Sequence, residues 1–140
     1  MGLVLNRPTD TSVADALPEL ASLAGEEDPV YVGGPVALES VLAIAELDDP
    51  DDASELLFGT VGFVQAPDVP VLRGRIYVGY AGWSAGQLEE ELEEESWLVL
   101  PAEPDDLFSD DADGLWSAVL RRQGGHYALL ARMPPDPSLN

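Results

Sequence analysis

The sequence predicts an α+β fold: a single domain with a mixed sheet and helices packed outside it. Three observations carry this. The chain has 140 residues, 46% of them hydrophobic, which suits one domain with a sizeable core. Strand-like apolar runs and helix-like segments interleave along it. Several returns between strand-like runs are too short for a βαβ crossover, which argues for a mixed sheet rather than a regular doubly wound one.

The elements follow in order. Leu3–Asn6 reads as a short strand ending before Pro8. Thr9 to Ser12 offers several helix caps, and Ser12 with Asp15 three residues later is an S-x-x-D capping box. Pro18 would interrupt a long helix, so residues 13–24 read as one or two short helical pieces. A loop over Gly25–Asp28 leads to a strand at Val30–Val32, and Gly33-Gly34-Pro35 forces a turn. Residues 36–47, VALESVLAIAEL, stay ambiguous: their composition favours helix, while VLAIA suits a buried strand. A charged loop covers 48–55. Leu56–Gln65, with Gly59 and Gly62 inside it, reads as a strand pair or a bulged strand. Arg75–Tyr80 alternates as a strand.

A glycine-rich corner then launches a helix. Ser84 and Gln87 form an S-x-x-Q capping box, and loss of such a cap costs about 1 kcal/mol. Leu88 and Leu92 share one helix face. Glu89–Glu93, Glu90–Glu94 and Glu91–Glu95 repel at i,i+4, each by roughly 0.2–0.5 kcal/mol. Leucine burial, aided by Trp83 and Trp97, has to outweigh that repulsion. Trp97–Leu100 reads as a strand stopped by Pro101. An acidic connector leads into an amphipathic helix over roughly 112–123, with Arg121 and Arg122 in its last turn and Gly124 closing it. Tyr127–Ala131 reads as a last strand, followed by a polar tail, MPPDPSLN.

Composition excludes several functions. Cysteine is absent, so disulfides, thiolate nucleophiles and cysteine-ligated zinc are impossible. No apolar run is long enough for a membrane span, and the start lacks the order of a secretory signal, so a cytoplasmic location is expected. There are 27 acidic against 6 basic residues, a net charge of −21. Such a surface repels phosphate backbones and anionic membranes. A basic patch would have to gather Arg73, Arg75, Arg121, Arg122 and Arg132.

The candidate chemistry is sparse. GYAGWSAGQLE (79–89) lacks the lysine of a P-loop and the spacing of a dinucleotide fingerprint, and its glutamates repel phosphate. Gly82-Trp83-Ser84-Ala85-Gly86 matches the G-x-S-x-G nucleophile elbow, with His126, the only histidine, as the one available base. The capping box gives Ser84 a simpler role. The acidic clusters at 48–55, 89–95 and 103–113 match no calcium-loop pattern, so no metal and no cofactor is expected. Arg7 stands alone before Arg73, and the GGP segment reads as a backbone corner.

Four segments together, GLVLNRPT (2–9), VYVGGPV (30–36), GYAGWSAGQLEEEL (79–92) and WLVLPA (97–102), resemble the bacterial YqgE/AlgH family in order and spacing. The tail looks like that of its high-GC Gram-positive branch. The resemblance implies a single α+β domain whose mixed, strongly bent sheet folds into a pseudo-barrel. Family members are often labelled transcriptional regulators, and the family carries no catalytic residues over to this chain. Its signature positions fall on Asn6, Arg7, Gly33, Gly34, Gly82, Trp83, Gly86 and Gln87, the ligand-binding candidates. Similar proteins carry several tens of residues before the first segment. The 1–140 domain is therefore expected to lack their N-terminal strands and to associate through an open sheet edge. The function expected is a non-enzymatic binding or regulatory module with a protein or small-molecule partner. The rivals are direct DNA binding and a small hydrolase using Ser84.

Overall fold

The structure, a computed structural model, describes residues 1–132; the expected polar tail lies, from Met133 on, outside the described residues. Six strands are present: β1 (Pro8–Ser12), β2 (Pro29–Val32), β3 (Val36–Glu46), β4 (Glu55–Phe58), β5 (Val61–Val64) and β6 (Arg73–Tyr80). They form one mixed sheet in the order β1-β2-β6-β3-β5-β4. The β2–β6 pair is parallel and the other neighbours are antiparallel. The pseudo-barrel is not closed. Closure would need the two edge strands to pair, and β1 and β4 lie at opposite edges.

The ambiguous segment 36–47 is strand, and its neighbours explain why it is so apolar. Ala43 and Ala45 pack into one cluster with Val13, Leu23, Val30 and Ile76. Ile44, between them, packs into a second with Tyr31, Val61, Tyr77 and Leu107. The same alternation splits Val30 from Tyr31 and Ile76 from Tyr77. The sheet is thus covered on both faces, so its central strands read as continuous apolar runs rather than alternating ones. Near its start β3 shifts register between Val36 and Val41, where Ala37 has φ 50°; the strand bends there.

The short helices α1 (Val13–Ala16) and α2 (Gln87–Glu93) precede α3 (Pro104–Leu107), α4 (Leu115–Gln123) and α5 (Gly125–Leu130). Ser12 caps α1, its hydroxyl accepting from the Asp15 N–H at 3.2 Å. Pro18 starts a separate 3-10 turn, Pro18–Leu20, instead of extending that helix.

Three expected strands are not strands. Leu3–Asn6 crosses the end of the sheet and forms only isolated bonds, such as Val4 N–H to the Gly33 carbonyl at 2.8 Å. Its leucines pack instead on the second cluster, and the first strand begins after Arg7. Trp97–Leu100 is irregular because no strand stands beside it; Trp97 lies against Trp83 instead. Tyr127–Ala131 is almost wholly helical. Gly124, at φ 70°, ends α4 and starts α5, and Ala128, Leu129 and Leu130 are good helix formers.

Candidate functional site

The strand order places an unusual demand on the GGP corner. β2 and β3 are consecutive, but β6 lies between them in the sheet. Gly33-Gly34-Pro35 must therefore step across the C-terminal end of β6, from Val32 beside Val78 to Val36 beside Tyr80. The two backbones touch. A Cβ on Gly33 would sit 2.5 Å from the Gly79 carbonyl oxygen, and one on Gly34 would overlap Tyr80 and Ala81. Gly79 itself has φ 71°, a conformation that favours glycine. The N-terminal segment joins the same place: Gly2 and Ala81 exchange two backbone hydrogen bonds at 2.9 and 2.8 Å. Three of the four signature segments thus converge at one end of the sheet.

An open cleft of ≈ 390 Å³ lies at this convergence. Its lining includes Leu3, Asn6, Leu115 and all three tryptophans of the chain, Trp83, Trp97 and Trp116. The Trp83 and Trp97 rings meet edge to face, centroids 5.8 Å apart at 64°. Both indole N–H groups donate to one oxygen of Glu91, at 3.0 and 2.8 Å, and Gln87 donates to the other at 3.1 Å. These bonds, that of Trp97 foremost, hold the Glu91 carboxyl below its ordinary pKa. Asn6 donates to the Ala112 carbonyl at 3.4 Å.

The corner at Ser84 differs from expectation in detail. Gln87 does reach back: its side-chain oxygen accepts from the Ser84 N–H at 3.1 Å and from the Ser84 hydroxyl at 3.2 Å. Ser84 does not cap in return. The helix begins three residues later, with Gly86 at φ 81° in the N-cap position. Only half of the capping box forms. The Ser84 hydroxyl is thus turned to Gln87, and His126 lies on α5 with its ring 6.2 Å from that of Tyr127. No hydrogen bond joins Ser84 to His126 among the described residues.

The other candidates separate. Trp83 and Asn6 line the cleft, and Gly82 does not; Gly33 and Gly34 form the backbone corner beside it. Arg7 is exposed, its carbonyl accepting from the Val32 N–H at 2.9 Å, and it makes no ion pair among the described residues. Of the five arginines that a basic patch would have to gather, three face carboxylates. Arg73 pairs with Glu46 and Asp105, Arg75 lies 3.7 Å from Asp110, and Arg122 is bidentate to Asp106 at 2.8 Å. Among the described residues no group of three or more His, Asp or Glu side chains could hold a metal ion, and no helix is long and apolar enough to cross a membrane.

Sequence reasoning missed Trp116 and Leu115 as cleft residues. An amphipathic helix read over 112–123 says only that its apolar residues pack inward, and only Leu120 of α4 is fully buried. It also missed Arg75. This guanidinium is buried, stacks 4.1 Å over the Tyr31 ring and donates to the Leu107 carbonyl at 2.7 Å. Nearby Tyr77 is wholly buried with an unpartnered hydroxyl, and burial pushes its pKa up to about 12.

The AlgH-like family model matches residues 1–128. A UPF0301 protein of Streptomyces coelicolor is 44% identical, covering 100% of this chain and 79% of its own. One from Mycobacterium leprae is 41% identical, covering 100% and 75%. A crystal structure of a Corynebacterium diphtheriae protein superimposes with a TM-score of 0.82 at 27% identity, covering 94% of this chain and 74% of that one. The solution structure of the AlgH protein of Pseudomonas aeruginosa does so with 0.70 at 29%, covering 97% and 78%. A family match across residues 1–128, relatives that align over all of this chain and a shared fold lead to one conclusion: the chain belongs to the AlgH-like family.

Proposed function

We propose that the chain is a non-enzymatic binding module whose ligand site is the tryptophan-lined cleft at the end of β6. One observation carries this: the three tryptophans, from three separate segments, face a single apolar cleft of ≈ 390 Å³. Small-molecule sites are concave, mostly apolar and of about 300–1,000 Å³, with few polar groups to set orientation. Asn6 on its lining is such a group, and Glu91 behind the indoles holds Trp83 and Trp97 in place. Trp97 and Trp116 remain 46% and 47% exposed, a large apolar area to leave in water without a use.

The rival functions find less support. Catalysis at Ser84 needs a base on its hydroxyl, and that hydroxyl donates to Gln87. DNA binding needs free cations on one face, and three of the six arginines face carboxylates.

A metabolite library read by tryptophan emission and thermal shift tests the proposal, since every tryptophan of the chain lies at the site. A ligand is expected to shift both signals, and Trp116→Ala is expected to lose binding while keeping its fold. A ligand that binds that variant as tightly as the wild type overturns the assignment.

A further inference from the structure

We infer that the tryptophan-lined cleft takes a small organic cation, in particular a methylated ammonium head group. This rests on the cleft being a ligand site and names the chemistry it selects. Two indoles meeting at 64° make two walls of a corner, with Trp116 on the same cleft. Aromatic walls in that arrangement favour a soft cation, which is drawn to the negative ring faces and shed of water by the apolar surroundings. Choline-like and methyl-lysine groups are recognised in this way.

Glu91 strengthens the preference. Its carboxylate accepts from the ring N–H of both Trp83 and Trp97. A negative acceptor at the ring edge pushes electron density toward the ring faces, making each indole a better partner for positive charge. The surroundings are of the same sign. Glu89, Glu90, Glu91 and Glu93 lie on α2, and the chain carries a net charge of −21, so cations concentrate near the cleft and anions are repelled.

Among the described residues no cation of the chain lies over the tryptophans. The chain has no lysine. Among the described residues its cation–aromatic contacts are Arg73 over Phe108 and Arg75 over Tyr31, both away from the tryptophans. A neutral apolar ligand would gain only the burial.

Choline and its uncharged isostere 3,3-dimethylbutan-1-ol separate charge from shape. Each is titrated into the full chain by tryptophan emission, with ionic strength matched by potassium chloride. Choline is expected to bind about tenfold or more tightly than the alcohol. Its affinity should fall with salt. Glu91→Gln keeps an acceptor for the indoles and removes the charge, so it should weaken choline binding and leave the alcohol unchanged. Equal binding of both compounds overturns the cation inference while leaving the cleft as a ligand site. Binding of neither overturns the inference, and the library screen then judges the cleft on its own.

Discussion

The carboxylate of Asp106 shows how much one residue can carry in so acidic a chain. It lies buried at the start of α3, where it receives both guanidinium N–H groups of Arg122 at 2.8 Å and the Glu103 backbone N–H at 2.9 Å. The Arg122 bonds, first among these, hold its pKa below the ordinary 3.8. The unfolded chain therefore takes up the proton more readily than the folded one. This contribution is complete above pH 3.8 and is lost as the pH falls through the lower folded value. Urea unfolding across that window should show stability falling with acid, and Asp106→Asn should flatten the slope. At neutral pH the same variant should lose about 2–3 kcal/mol, the scale of hydrogen bonds to a charged partner. Sequence placed Arg122 only as a charge at a helix end. Its partner stands 16 residues away across a turn, a distance no local pattern encodes.

For α2 the sequence misjudged both ends: Ser84 does not cap the helix, and the run stops short. The glutamate run promised a helix as far as Glu95, yet α2 ends at Glu93. Repulsion and the negative helix end both favour stopping early. The stop is a Schellman motif: Ser96 N–H bonds to the Glu91 carbonyl at 3.0 Å, and Glu95 N–H to that of Leu92 at 3.2 Å. Its left-handed position, usually glycine, is Glu95 at φ 58°. Glu95→Gly should therefore stabilise the protein by about 1 kcal/mol. Glu95→Gln, which removes only the charge, should yield less; equal gains in urea unfolding would assign the effect to charge instead. The strands were legible where turns bounded them, as at Pro29–Val32 and across Gly59. They were misjudged at Trp97–Leu100 and Tyr127–Ala131, whose apolar residues fit a strand that had no neighbour to bond.

For the whole molecule, charge and strand order act separately. With a net charge of −21, the folded chain repels itself at low salt. Moving from about 10 mM to about 500 mM sodium chloride shrinks the screening length from about 30 Å to about 4 Å. The thermal midpoint should then rise by several degrees, as followed by circular dichroism; an unchanged midpoint would mean the acidic groups already lie too far apart to matter. Fold class was readable because short returns and apolar runs are local properties. The cleft was only half readable: its signature segments stood out, but nothing local said that α4 would bring Trp116 to them. The strand order has a consequence for synthesis. β6 lies between β2 and β3, yet of the six described strands it is the last to leave the ribosome. Until it emerges, the two strands on either side of the GGP corner face an empty slot, with their inner edges bare. A nascent chain that has made five of the six strands still has a sheet in two halves, and the segment that unites them also leads into the tryptophan cleft.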